Sequence, residues 1–314
     1  MFAVKSKIGN MTHYLDPKHD LVFKKIFGER PHLLISFLNA ILPLDTEIES
    51  VEYLSSEMAP ETPTKKNSIV DVLCVDHLKR TFIVEMQLYW SNVFMSRMVF
   101  NTSKAFVRQL EKAKPFTLLQ PVYGVGFIND IYDKVTDEFY HHYQIVNREN
   151  TDEIIEGLEY IMVELPKFKI AKWKDKQMAV LWLRFLSEID EDTKKVSDEL
   201  LNNEAINEAL SICEEVAFTD RERMIYDEFW DVIRTEKGLI ETGLREGIEK
   251  GVKKGMEKGM KEGMEKGMEK GMEKGMEKAN RKVIAGCKES GLSMKQIMSI
   301  TGLSEEQINE LSNS

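Results

Sequence analysis

The 314-residue chain contains only three cysteines, Cys74, Cys213 and Cys287. They lie far apart and share no metal-ligand spacing, so they are expected to be reduced thiols of an intracellular protein. No stretch approaches the roughly 18 apolar residues of a membrane span. The opening MFAVKSKIGN has no apolar core of a signal peptide. A soluble, cytoplasmic protein with no membrane partner is the expectation. Positive charge is also short: 43 Lys and Arg stand against 53 Asp and Glu, a formal net charge of −10. That excludes a broad nucleic-acid-coating surface, but not a nucleic-acid enzyme with a local basic groove. There is no Gly-rich phosphate loop, no Ser/His/Asp ordering and no CxxC pair to offer a competing chemistry.

What the chain does have is enough apolar material, 42% hydrophobic and 9% aromatic, for a sizeable core. Residues 1 to about 16 read as a loose arm. In "LDPKHDLVFKKIFGERPHLLISFLNAIL", Asp16 is placed to cap a helix with Pro17 at its first position. Pro31 opens a second helix ending near Leu42. "TEIESVEYL" reads as a strand and "APETPTKKN" as a polar loop. "SIVDVLCVDHLKRTFIVEMQLYW" reads as two strands, and "NVFMSRMVFNTSKAFVRQLEK" as a long amphipathic helix. "PVYGVGFIN", "EFYHHYQIVN" and "LEYIMVELPKF" are further strands. Beyond residue 168 the pattern is helical. The spacing therefore predicts an α/β or α+β core over 1–168, a helical extension over 169–240, a repeat over 241–280 and a small helical hairpin over 281–314.

The repeat settles into "GMEKGMEKGMEK", a period of four that does not match the 3.5 of a coiled coil. Each interior Gly costs a helix about 1 kcal/mol relative to Ala. A marginal helix or a disordered spacer is expected, and a Met-lined helix joining copies into a homo-oligomer is the alternative. In the tail, "SMKQIMSITGLSEEQINEL" outlines helix, turn, helix, with Ser293 and Ser304 as caps. Its second helix is acidic, which favours a packing hairpin over a DNA reader.

The core hairpin carries acids inside apolar runs. A turn centred on Leu78 sets Asp71 opposite Glu85, and Ile69 opposite Gln87. Directly opposed residues have Cβ atoms about 4.5–5.5 Å apart. Two carboxylates so close in a partly buried sheet need a shared proton, a basic partner or a metal ion. Mg²⁺ takes one or two carboxylates and keeps several waters, so the pair fits a hard-cation site. The other reading is a solvated face of an antiparallel sheet.

Asp71, followed on the next strand by Glu85-Met86-Gln87, resembles the core of the PD-(D/E)XK nuclease superfamily. "DPKHDLVFKKIFG" resembles the opening of its Rpn branch of recombination-promoting nucleases and putative transposases. The resemblance covers roughly residues 14–240. It implies a restriction-endonuclease-like mixed β-sheet flanked by helices, and a DNA endonuclease that hydrolyses phosphodiester bonds with Mg²⁺ or Mn²⁺. It further implies Asp20 as the acid of the first helix, and Asp71 and Glu85 as metal ligands. Two departures stand out: Val70 replaces the usual Pro, and Gln87 replaces the usual Lys. Gln can orient a water or a phosphate but cannot supply charge. A catalytically degenerate fold that binds DNA or oligomerises is therefore the rival function, and an interaction protein whose repeat self-associates is the third.

Lys24 or Lys25, about one turn beyond Asp20, can reach a phosphate, though a solvated helix face explains them as well. Arg97, Lys104 and Arg108 mark one basic face of the long helix, fit for phosphate contact or for solubility. His141 and His142 are adjacent in a strand and point to opposite faces, which prevents joint chelation. Tyr89 and Trp90 read as packing at the core and sheet edge rather than as base-stacking platforms.

Overall fold

The computed structural model describes residues 13–58, 68–111, 113–170 and 177–313. The loop at 59–67 and residues 1–12 of the expected arm lie outside the described residues. The chain divides into two compact units, Met1–Phe229 and Trp230–Ser314.

In the first unit the arm ends earlier than expected. Leu15 N donates to Cys213 O at 2.7 Å, Glu215 N donates to His13 O at 2.9 Å, and Tyr14 bridges Glu214. Helix α1 (Asp20–Phe23) is capped by His19, whose Nδ1 accepts from Leu21 N at 3.0 Å. The cap assigned to Asp16 is thereby corrected. Asp16 closes the turn before the helix, accepting from Lys18 N at 2.8 Å and pairing with the Lys18 ammonium. α1 continues into a π-helical turn, Lys24–Gly28, a form found often at functional sites. Pro31 opens α2 (Pro31–Ile41) as the spacing predicts.

Strands follow: β1 (Val51–Tyr53), β2 (Glu57–Met58), β3 (Ser68–Ile69), β4 (Val72–Asp76) and β5 (Thr81–Gln87). After α3 (Asn92–Arg108) come β6 (Val122–Ile128), β7 (Tyr140–Val146) and β8 (Ile154–Glu164). Six of them form one mixed sheet in the order β1-β4-β5-β6-β8-β7. β5, β6 and β8 run parallel, while β1, β4 and β7 are antiparallel to their neighbours. The β4–β5 register pairs Val72 with Val84 and Val75 with Thr81, the register of a turn centred on Leu78. Ile69 does not continue it. The chain leaves the sheet at Val70 and Asp71, and Ile69 pairs with Glu57 in a separate two-stranded ladder. Its expected pairing with Gln87 is corrected accordingly.

Helices cover both faces. On one side α3 sets Phe94 and Met98 against Leu73, Ile83 and Met162. Two glycines of β6 let it approach: a Cβ at Gly124 would stand 2.9 Å from Met98 Sδ and Thr102 Cγ2, and one at Gly126 would stand 3.1 Å from the Phe94 ring. On the other side Phe37 packs against Phe127 at 4.7 Å between ring centroids, and Phe27 and Trp182 join them. Trp182 belongs to α4 (Gln177–Glu188), which is followed by α5 (Asp198–Leu201), α6 (Glu204–Cys213) and α7 (Asp220–Glu289). Burying this many aromatic rings, each removing about 150–250 Å² from water, dominates the stability of the unit. The result is a restriction-endonuclease-like α/β fold. Among the described residues, no helix is long and apolar enough to cross a membrane.

In the second unit α7 carries the repeat as one continuous helix. A Cβ at any glycine from Gly243 to Gly275 would meet nothing within 4 Å. Helices α8 (Met294–Thr301) and α9 (Glu305–Asn313) fold back so that Ile284, Ile297 and Ile308 form a small core. Ser293 forms a capping box with Gln296. Ser304 does the same with Gln307, whose N donates to Ser304 Oγ at 3.2 Å. Gly302, at φ 71°, supplies the left-handed turn between the two helices.

Candidate active site

Glu85 lies on the face of β5 turned toward α3, beside Gly126 of β6. It is 2% exposed. Because the missing side chain at Gly126 admits Phe94, α3 lies close enough for two of its polar residues to reach the carboxylate. Asn101 Nδ2 donates to Glu85 Oε1 at 3.1 Å, and Arg97 Nη2 donates to Oε2 at 2.9 Å. The same Arg97 nitrogen donates to Gln87 Oε1 at 3.0 Å, and Gln87 Nε2 donates to Tyr89 O at 2.9 Å. One guanidinium therefore bridges the acid and the amide.

Asp71 occupies the bend where the chain enters β4, one position beyond the ladder and in line with its register. Its Oδ2 accepts from Met86 N at 2.8 Å, beside Glu85 in the chain. Its Oδ1 stands 3.6 Å from Lys24 Nζ, which pairs more closely with Asp20 Oδ1 at 2.6 Å. Burial pushes the Asp71 carboxyl up to about 7, with the Met86 amide opposing, and the Asp20 and Glu85 charges add to the rise. Burial alone would lower the Lys24 ammonium, but the Asp20 and Asp71 carboxylates outweigh it and raise its pKa.

The structure thus joins Asp71, Glu85, Gln87, Lys24 and Arg97 in one network, and ties Asp20 to it through Lys24. Among the described residues, no three carboxylate, imidazole or thiolate side chains stand close enough together to hold a metal as a set. The Asp71–Glu85 pair nevertheless fits a hard divalent cation. Its donors are all oxygen, it is largely shielded from water, and burial, followed by the Asp20 and Glu85 charges, disfavours the ionised Asp71 carboxylate that a cation would stabilise.

The basic face expected on α3 is corrected. Lys104 is buried and donates to Met58 O, its aliphatic stem running through the core while Arg97 turns to the acids. Lys25 also leaves the site, pairing with Glu222 at 2.8 Å over the Phe218 ring. Trp90 stacks on Tyr132 at 4.4 Å between centroids, as packing. Tyr89, just beyond the end of β5, is 44% exposed and lies outside the core. His141 and His142 point apart, to Glu164 at 2.9 Å and Glu159 at 2.7 Å.

Sequence reasoning missed Asn101 and Ser68, whose hydroxyl bonds Asn101 Oδ1. The available signal was position. Asn101 falls on the stripe of α3 that buries Phe94, Met98 and Ala105, and an amide there needs a polar partner.

A mixed sheet with acids at the mouth of its central strands defines a nuclease-like class. Comparison with family models places residues 17–243 in the PD-(D/E)XK nuclease family transposases, and the chain belongs to that family. No curated protein and no solved structure matches it. Nucleases of this kind generally use divalent metals.

Proposed function

We propose that the protein is a Mg²⁺-dependent DNA endonuclease of the recombination-promoting, transposase-like type, with Mn²⁺ as an alternative metal. The observation that carries the reading is the placing of Asp71, at the bend entering β4 and bonded to Met86 N, beside Glu85 of β5, with Asp71 pushed up to about 7 by burial and by neighbouring acids. Asp71 and Glu85 would hold the metal, and Asn101 fixes the Glu85 carboxylate through Oε1. The ion supplies charge stabilisation at the phosphorus and a more acidic water. Gln87 orients the attacking water or a phosphate oxygen. Asp20 holds Lys24 beside Asp71, where both Lys24 and Arg97 stand ready to meet phosphate oxygens.

The rival reading is a catalytically degenerate fold that binds DNA. It draws support from Gln87 in place of Lys and from the two cations already paired with the acids. Supercoiled plasmid separates the two. Nicking that requires Mg²⁺, stops with EDTA and disappears in a folded Asp71→Ala variant supports the endonuclease. Retained DNA binding without cutting in Mg²⁺ or Mn²⁺ supports the degenerate module.

A further inference from the structure

We infer that Arg97 is an exchangeable counter-ion, resting on Glu85 and Gln87 and passing to a substrate phosphate when a divalent cation takes Glu85 Oε2. The inference rests on the endonuclease reading above and assigns a regulatory and positioning role within that site.

Three features lead to it. First, a single nitrogen, Arg97 Nη2, satisfies both Glu85 Oε2 and Gln87 Oε1. On the endonuclease reading these oxygens would serve the metal and the water, so a cation arriving at Glu85 would compete with the Arg97 bridge for Oε2. Second, the Glu85 carboxylate does not depend on Arg97 for its orientation. Asn101, fully buried and itself held by Ser68, keeps Oε1 in place. The Arg97 side chain is 43% exposed, so its guanidinium can leave the acids toward solvent, and it lies 5.2 Å from the Phe94 ring centroid.

Third, the charges balance in sequence. With every group ionised, Asp20, Asp71 and Glu85 face Lys24 and Arg97, which leaves one net negative charge. A divalent cation turns that into one net positive charge, and a phosphodiester, with its single negative charge, neutralises it. Metal and DNA therefore reinforce each other's binding, and the departing guanidinium uncovers Gln87 Oε1 to accept a hydrogen bond from water. A coupling of this kind is worth about 5–150-fold in affinity.

The test is calorimetric titration of the full chain with Mn²⁺ alone, for the wild type, Arg97→Gln and Asp71→Asn. Arg97→Gln is expected to bind Mn²⁺ about tenfold more tightly than the wild type, because nothing competes for Oε2. In fluorescence anisotropy with a short DNA duplex, Ca²⁺ should strengthen wild-type binding severalfold and Arg97→Gln by clearly less, because that variant has no guanidinium to release to the phosphate. Equal or weaker Mn²⁺ binding by a folded Arg97→Gln overturns the exchange. Should that variant not fold, the wild-type Arg97 guanidinium resonances decide, since they must shift on adding Mg²⁺ and their constancy overturns the proposal. Failure of the underlying endonuclease reading looks different: Mn²⁺ then binds neither the wild type nor Arg97→Gln, or binds Asp71→Asn as tightly as the wild type.

Discussion

Two buried glutamates sit at the same end of parallel strands separated by β6, Glu85 near the end of β5 and Glu164 at the end of β8. Glu164 is fully buried and wholly satisfied by local groups. Its Oε1 accepts from Tyr132 N at 2.7 Å and Asp133 N at 3.1 Å, and its Oε2 meets Lys167 at 2.8 Å and His141 at 2.9 Å. Those donors pin the chain after β6. Glu85 has one amide and one half-exposed guanidinium, and it faces Asp71. The contrast teaches that burial alone does not mark a functional acid. A buried acid with backbone donors and cations is a clamp, whereas one beside a like charge and a half-exposed cation is what the proposed metal site requires.

The strongest way to break this comparison is to neutralise each acid in turn. Glu85→Gln keeps the acceptor for Asn101 and is expected to leave the fold within about 1 kcal/mol of wild type. It should nevertheless lower metal-dependent nicking by at least about a thousandfold, about 4 kcal/mol in barrier. Plasmid assays beside urea unfolding check both halves, and a fully active variant removes Glu85 from the site. Glu164→Ala should act the other way. It removes the acceptor of Tyr132 N and Asp133 N and the partner of Lys167 and His141, and costs about 3–5 kcal/mol, seen as a lower urea midpoint. Normal stability would show that the Glu164 cluster is not a clamp.

Asp71 sharpens the comparison through pH. Its folded carboxyl titrates near 7 rather than the ordinary 3.8, so between these values the folded chain holds a proton that the unfolded chain has lost. Stability should therefore fall as pH rises from about 4 to about 7, by about 2–4 kcal/mol from this group. Asp71→Asn should remove that part of the slope, and unfolding midpoints across the range measure it. The smallest effect belongs to the second unit, where no such tension exists. Ser304→Ala removes an N-cap and should cost α9 about 1 kcal/mol, read as lost helicity or protection of the Ile308 amide from exchange.

Much of the site could be read before the fold was known, for physical reasons. A period of two and a tight turn fix which residues of a hairpin face each other, and the Leu78-centred register is the one observed. Asp71 and Glu85 could be paired on that ground. The break at Val70 and Asp71 could not, because Ile69 leaves the ladder for Glu57, a partner that local pattern does not reveal. Lys104 was hidden by its own chemistry, since a long aliphatic stem lets an ammonium end inside the core. Asn101 and Glu164 depend on which helix or loop crosses the sheet, and that follows from packing at Gly126 and from the Tyr132–Asp133 backbone.

The most direct test of the account joins stability and chemistry in one variant. Asp71→Asn retains an oxygen for the Met86 amide and removes the charge facing Glu85. Its melting temperature at pH 8 and its Mg²⁺-dependent nicking of supercoiled plasmid should be measured on the same preparation. The account predicts a protein at least as stable as the wild type that no longer cuts. A variant that is less stable, or one that cuts as fast as the wild type, would contradict it.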